Sequence, residues 1–176
     1  MNLPNKLTLL RMALVPVFVA LLMAPGPAFQ LAAALVFALA SATDWFDGWY
    51  ARRHHMVTDF GKLMDPMADK LLVMAALVGL LAQGRAPWLA VMVLLGREFI
   101  ISSIRLVAAA KGEVIAAGLS GKLKTVSQML GLILLLAGGW TPWMAVAGEV
   151  LLWVSVGLSV WSCAEYIVKN KGVFKA

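Results

Sequence analysis

Residues 34–82 read ALVFALASATDWFDGWYARRHHMVTDFGKLMDPMADKLLVMAALVGLLA. Two apolar runs flank a polar window, and that arrangement decides the fold class. The runs are too long and too apolar for the alternating strands of an outer-membrane barrel, so each reads as a helix. All five aspartates of the chain, Asp44, Asp47, Asp59, Asp65 and Asp69, fall inside the window, whereas the four glutamates are scattered. On helices, Asp44 and Asp47 are i, i+3 neighbours and Asp65 and Asp69 are i, i+4 neighbours, so each pair shares a face. The connection is short, which makes the two helices antiparallel neighbours and lets the pairs converge.

The rest of the chain has the same apolar character. Of 176 residues, 62% are hydrophobic and 14% charged, with a mean hydropathy of +0.87. Soluble domains carry about 25% charged residues, so the excess apolar surface is expected to face lipid. A soluble enzyme, a secreted disulfide module and a disordered tail are excluded. The lone Cys163 has no intrachain partner and reads as packing. Apolar segments run from about 7 to 24, 28 to 50, Asp65-Pro66 to Gln83-Gly84, 87 to 110, 123 to 138 and 142 to 168. At roughly 20 residues per span, the expectation is an all-α polytopic bundle of six transmembrane helices forming a single domain over residues 1–176.

Charge sets the expected orientation. Lys6, Arg11, Arg52, Arg53, Lys62, Lys70, Lys111, Lys122, Lys124, Lys169, Lys171 and Lys175 gather at one side, and Arg85 stands alone at the other. By the positive-inside rule both termini and the aspartate window are cytoplasmic, in a bacterial-type inner membrane. Trp88, Trp140 and Trp143 flank the sparse loops, as an outer aromatic belt would. The net charge of +6 then reads as topology rather than as a nucleic-acid footprint.

Four carboxylates brought together at a membrane surface raise one another's pKa unless cations neutralise them. An oxygen-only donor set favours Mg²⁺, Mn²⁺ or Ca²⁺ over zinc. Gly48, Ala51 and Gly61 leave room beside the aspartates, and Arg52 offers a guanidinium to a phosphate oxygen. Together they read as a site for phosphoryl transfer on a phosphate-bearing substrate. Blander roles compete: Asp65 before Pro66 reads equally as a helix N-cap, and Asp59 as a solvated loop residue. A row of aspartates can also line the path of a small cation transporter. That class calls for charges across the bilayer and usually for an internal repeat, and neither is evident.

The spacing D-x₂-D-G-x₂-A-R-x₈-G-x₃-D-x₃-D is met by Asp44, Asp47, Gly48, Ala51, Arg52, Gly61, Asp65 and Asp69. It resembles the signature of the CDP-alcohol phosphotransferases, and six spans with cytoplasmic termini fit that family too. The resemblance implies attack of an alcohol hydroxyl on the diacylglycerol-bearing phosphorus of a CDP-lipid, with CMP leaving. It implies that Asp44, Asp47, Asp65 and Asp69 hold a two-metal centre of Mg²⁺ or Mn²⁺, with Asp69 also the general base. It further implies that Gly48 and Ala51 make space for the cytidine, that Arg52 and Thr58, with Asn5 and Thr8, contact the nucleotide, and that the protein is a homodimer. His54 and His55 read as basic-loop residues rather than catalysts.

Three further stretches bear on the acceptor: PNKLTLLR at 4–11, REFIISSIR at 97–105 and GKLKT at 121–125. Charges inside a span are expensive and usually functional. Arg105 and Lys124 are expected to meet across the 111–121 loop and, with Lys122, to form a cationic pocket for an anionic acceptor. The competing reading makes Arg97–Glu98 a structural ion pair and lets Lys122 and Lys124 snorkel. The stretches are similar to those of the glycerol-3-phosphate-using branch of the family. That implies CDP-diacylglycerol and sn-glycerol 3-phosphate as substrates, with phosphatidylglycerol, inositol phosphate or serine as alternative acceptors.

Overall fold

The computed structural model describes residues 3–53, 59–110 and 118–170, with side chains described outside 3–8, 44–53, 59–66, 69 and 110. The described residues form six helices and no strand: α1 Leu3–Met23, α2 Pro27–Arg53, α3 Asp59–Ala82, α4 Trp88–Ala110, α5 Leu119–Ala137 and α6 Pro142–Lys169. Pro27 and Pro142 open their helices at positions where a missing N–H costs nothing. Gly26 and Gly84 take positive φ values of 111° and 68° in the turns between helices, a conformation that side chains with a Cβ resist.

Cross-helix contacts define an up-and-down bundle. At one end, Gln83 at the end of α3 donates to the Leu22 carbonyl of α1 at 2.5 Å, and the Trp140 indole donates to the Pro27 carbonyl at 3.0 Å. The Arg85 guanidinium donates to the Leu135 carbonyl in the last turn of α5, which also accepts the Gly138 amide at 3.1 Å. At the other end, Ser120 of α5 meets Glu165 of α6, and Arg105 of α4 lies over the Tyr166 ring. The carboxyl-terminal part of α2 and the amino-terminal part of α3, which carry the aspartates, belong to this second end.

The main core packs Phe18, Leu22, Phe37, Leu72, Leu77, Leu80, Leu94, Leu132 and Leu152 from all the helices except the far half of α4. The Phe18 and Phe37 rings meet at 5.9 Å in a tilted pair. The closest helix pair is α5–α6. Gly131, Leu135, Gly148 and Leu152 face one another there. A Cβ built on Gly148 would lie 2.7 Å from the Leu135 nitrogen and 2.9 Å from the Gly131 oxygen, so backbone meets backbone. Small residues at such a seam are how helices associate where water supplies no driving force.

The outer surface is apolar: Leu39, Met92, Leu106, Val146 and Trp161 are all more than half exposed. Such an exterior matches hydrocarbon rather than water. Among the described residues, α5 and α6 are long and apolar enough to cross a membrane, and α1, α2 and α3 contain shorter apolar stretches, Leu9–Met23, Pro27–Thr43 and Lys70–Ala82. Charge interrupts α4 at Arg97, Glu98 and Arg105.

One sequence expectation is corrected by the helix bounds. Asp65-Pro66 does not open α3, because the helix begins at Asp59. Asp59 is therefore its first residue rather than a loop residue, where a carboxylate suits the helix dipole. Pro66 is thus interior to the helix, where a proline gives up one backbone hydrogen bond and crowds the carbonyl four residues back, although its fixed φ is helical. Asp65 and Asp69 thus share an established helix, which removes the N-cap reading of Asp65.

Candidate active site

The signature residues sit on two helices in contact. Asp44, Asp47, Gly48, Ala51 and Arg52 lie in the last turns of α2, and Gly61, Asp65 and Asp69 lie in the first half of α3. The helical spacings therefore place Asp44 with Asp47 and Asp65 with Asp69, one pair per helix, at one end of the bundle. Their side chains lie outside the described set, as do those of Asn5 and Thr8 in α1. Thr58, His54 and His55 lie outside the described residues altogether.

Immediately after Asp69, Lys70 donates to the Ser102 hydroxyl of α4, which in turn donates to the Glu98 carbonyl one turn earlier. This ties the aspartate-bearing end of α3 to α4. Glu98 is a junction. One oxygen, Oε1, accepts from Lys124 of α5 and, at 3.0 Å, from Arg97, its neighbour in sequence. Arg97 also donates to the Ser162 hydroxyl of α6 at 3.1 Å. A chain of charge-assisted contacts, Lys124–Glu98–Arg97–Ser162, therefore crosses from α5 through α4 to α6. Lys124 is only 2% exposed, and a buried ammonium is tolerable only when paired in this way.

Two cavities flank that chain. The smaller, about 60 Å³, lies among α3, α4 and α5, with Lys70, Glu98, Lys124 and Gln128 at polar positions and Val73, Leu77 and Leu95 on its apolar wall. The larger, about 320 Å³, lies among α4, α5 and α6 and is lined by Arg97, Arg105, Ser120, Ser162, Glu165 and Tyr166 among others. Lys169 at its rim bonds Glu165 at 2.6 Å, and Ser120 donates to the other Glu165 oxygen at 2.6 Å. The larger cavity carries three cations, Arg97, Arg105 and Lys169, against the single carboxylate of Glu165. Gly118 and Ser120 at the start of α5 add that helix's positive end. It is suited to hold an anion.

Arg105 and Lys124 consequently do not share a pocket, contrary to the sequence expectation. Lys124 lines the smaller cavity and Arg105 the larger. The Arg97–Glu98 pair stands between them, with Glu98 turned to the first cavity and Arg97 to the second. Lys122 is exposed. The structural ion-pair reading of Arg97–Glu98 holds, but Arg97 also faces a cavity. Sequence reasoning passed over the α6 residues Ser162, Glu165 and Tyr166. Their signal was present: Ser155, Ser159, Ser162 and Tyr166 recur every three or four residues within an apolar helix and are all buried, a polar stripe that a lipid-facing surface would not carry.

The sequence model of the CDP-alcohol phosphatidyltransferase family matches residues 1–161. A CDP-diacylglycerol–glycerol-3-phosphate 3-phosphatidyltransferase of Bacillus subtilis is 44% identical over 96% of this chain and 95% of its own length. Proteins of the same name from Pseudomonas fluorescens and Escherichia coli K12 are each 40% identical, the first over 95% of this chain and 89% of its own length, the second over 94% and 93%. Motif, helical framework and near-complete alignment agree, and the chain belongs to the CDP-alcohol phosphatidyltransferase family.

Proposed function

We propose that this protein transfers the phosphatidyl group of CDP-diacylglycerol to sn-glycerol 3-phosphate, giving phosphatidylglycerophosphate and CMP. The observation that carries the choice of acceptor is the cationic cavity among α4, α5 and α6, at the same end of the bundle as the aspartate-bearing turns. A phosphorylated polyol matches that charge; a neutral alcohol does not call for it. The names of the relatives point the same way.

The acceptor hydroxyl attacks the diacylglycerol-bearing phosphorus. A new P–O bond forms, the pyrophosphate P–O bond breaks, and CMP leaves with the bridging oxygen. Asp44, Asp47, Asp65 and Asp69 provide the all-oxygen donor set that Mg²⁺ or Mn²⁺ prefers, on two contacting helices with the spacing that pairs them. Two such ions, when bound, neutralise charge on the attacking and leaving oxygens. Asp69 takes the hydroxyl proton. Gly48 and Ala51 leave space for the cytidine, and Arg52, Thr58, Asn5 and Thr8 bind the nucleotide. Arg105, with Lys122 at the outer approach and Lys124 behind Glu98, supplies the positive field for the acceptor phosphate. The six helices span a bacterial inner membrane with both termini and this site cytoplasmic, in a homodimer.

The test is CMP release from CDP-diacylglycerol by purified protein offered glycerol 3-phosphate, phosphatidylglycerol, inositol phosphate, serine and glycerol in turn. Release with glycerol 3-phosphate alone is the expected result. Release with a different acceptor reassigns the substrate, and no release with any of them favours the cation-transporter reading.

A further inference from the structure

Tyr166 lies on the inward stripe of α6 and is 9% exposed. Its ring packs with Ile101, Ile104 and Ala108 of α4, and the Arg105 guanidinium lies 5.7 Å from the ring centroid. Its hydroxyl oxygen is buried and has no hydrogen-bond partner among the described residues. A buried hydroxyl without a partner is a cost that folds seldom keep, and where one is kept its surroundings show why. Here the surroundings are the larger cavity, which Tyr166 lines together with Arg97, Arg105 and Ser162. These residues line a space of about 320 Å³, large enough for a small phosphorylated molecule.

We propose that the Tyr166 hydroxyl is a contact for the acceptor, donating a hydrogen bond to a phosphate oxygen of sn-glycerol 3-phosphate bound in this cavity. The inference rests on the proposed acceptor and adds a residue to its site. Arg105 has two roles in this arrangement. It holds the phenol ring through its cation–π contact and presents its remaining donors to the same anion. A hydrogen bond to a charged group is among the stronger ones, so the hydroxyl contributes to acceptor affinity and to discrimination against acceptors without a phosphate.

Tyr166→Phe removes one oxygen and keeps the ring, its packing and the cation–π contact. The expected result is a KM for glycerol 3-phosphate raised about tenfold, with the KM for CDP-diacylglycerol unchanged. Inhibition by inorganic phosphate should weaken in parallel, because phosphate alone probes the same contact. Thermal unfolding of the detergent-solubilised variant should be no earlier than that of the parent, since the lost hydroxyl has no partner among the described residues. A KM for glycerol 3-phosphate and a phosphate inhibition both unchanged in Tyr166→Phe, alongside a raised KM in Arg105→Ala, would overturn the assignment of Tyr166 while leaving the acceptor reading intact. Unchanged acceptor kinetics in both variants would overturn the cavity as the acceptor site.

Discussion

Lys124 and Glu98 form an ion pair between α5 and α4, and the same carboxylate oxygen accepts from Arg97, which reaches α6 through Ser162. The contact joins three helices and separates two cavities. It therefore holds cations in place beside the cavities as well as joining helices. A buried pair of this kind adds little net stability compared with an apolar replacement, but removing one member leaves an uncompensated charge.

Glu98→Gln is accordingly expected to lower stability by roughly 3 kcal/mol and to raise the KM for glycerol 3-phosphate, because Arg97 loses the anchor that points it at the larger cavity. Thermal unfolding and acceptor kinetics, measured together, separate the two effects. Glu98→Asp, which keeps the charge on a shorter stem, should recover part of both. A variant destabilised with an unchanged KM would restrict Glu98 to a structural role.

Asp69→Asn should abolish CMP release while the protein still inserts and elutes as the parent does. Chelation of divalent ions should do the same to the parent, and Mg²⁺ or Mn²⁺ should restore it. Undiminished turnover in Asp69→Asn removes that residue from the proton transfer, and full activity in chelator removes the metal centre.

The glycines of α6 provide a paired stability test. At Gly148 an added methyl meets backbone atoms of α5 that cannot move aside, so Gly148→Ala should cost about 1–3 kcal/mol and loosen the α5–α6 seam. At Gly157 nothing lies within 4 Å of an added Cβ. Gly157→Ala should be neutral or stabilise the helix by up to about 1 kcal/mol. Equal shifts in the unfolding temperature of the two variants would remove close backbone approach as the reason for Gly148.

Much of this architecture was legible in the residue order. The Pro and Gly punctuation at 25–27, 84–87 and 138–142 marks the turns between α1 and α2, α3 and α4, and α5 and α6, because those residues act on local dihedral angles. The start of α3 was misread for the same local reason. Pro66 looks like a helix opener, and only the continuous helix from Asp59 shows that it is interior. The proposed metal-binding aspartates are legible because their chemistry requires a fixed helical spacing on adjacent segments.

The cationic cavity is a different kind of feature. Arg97, Arg105, Ser120, Ser162 and Tyr166 come from three helices, and no spacing along the chain relates them. Adjacent Arg97 and Glu98 turn toward different cavities, and Arg105 and Lys124 line different ones, because side-chain direction depends on how each helix is rotated against its neighbours. By itself the sequence determined the helices, the apolar exterior and the aspartate signature, all of which follow from short-range periodicity. Only the tertiary structure decided which charges share a space, because that follows from packing of helix faces such as the glycine seam of α5 and α6.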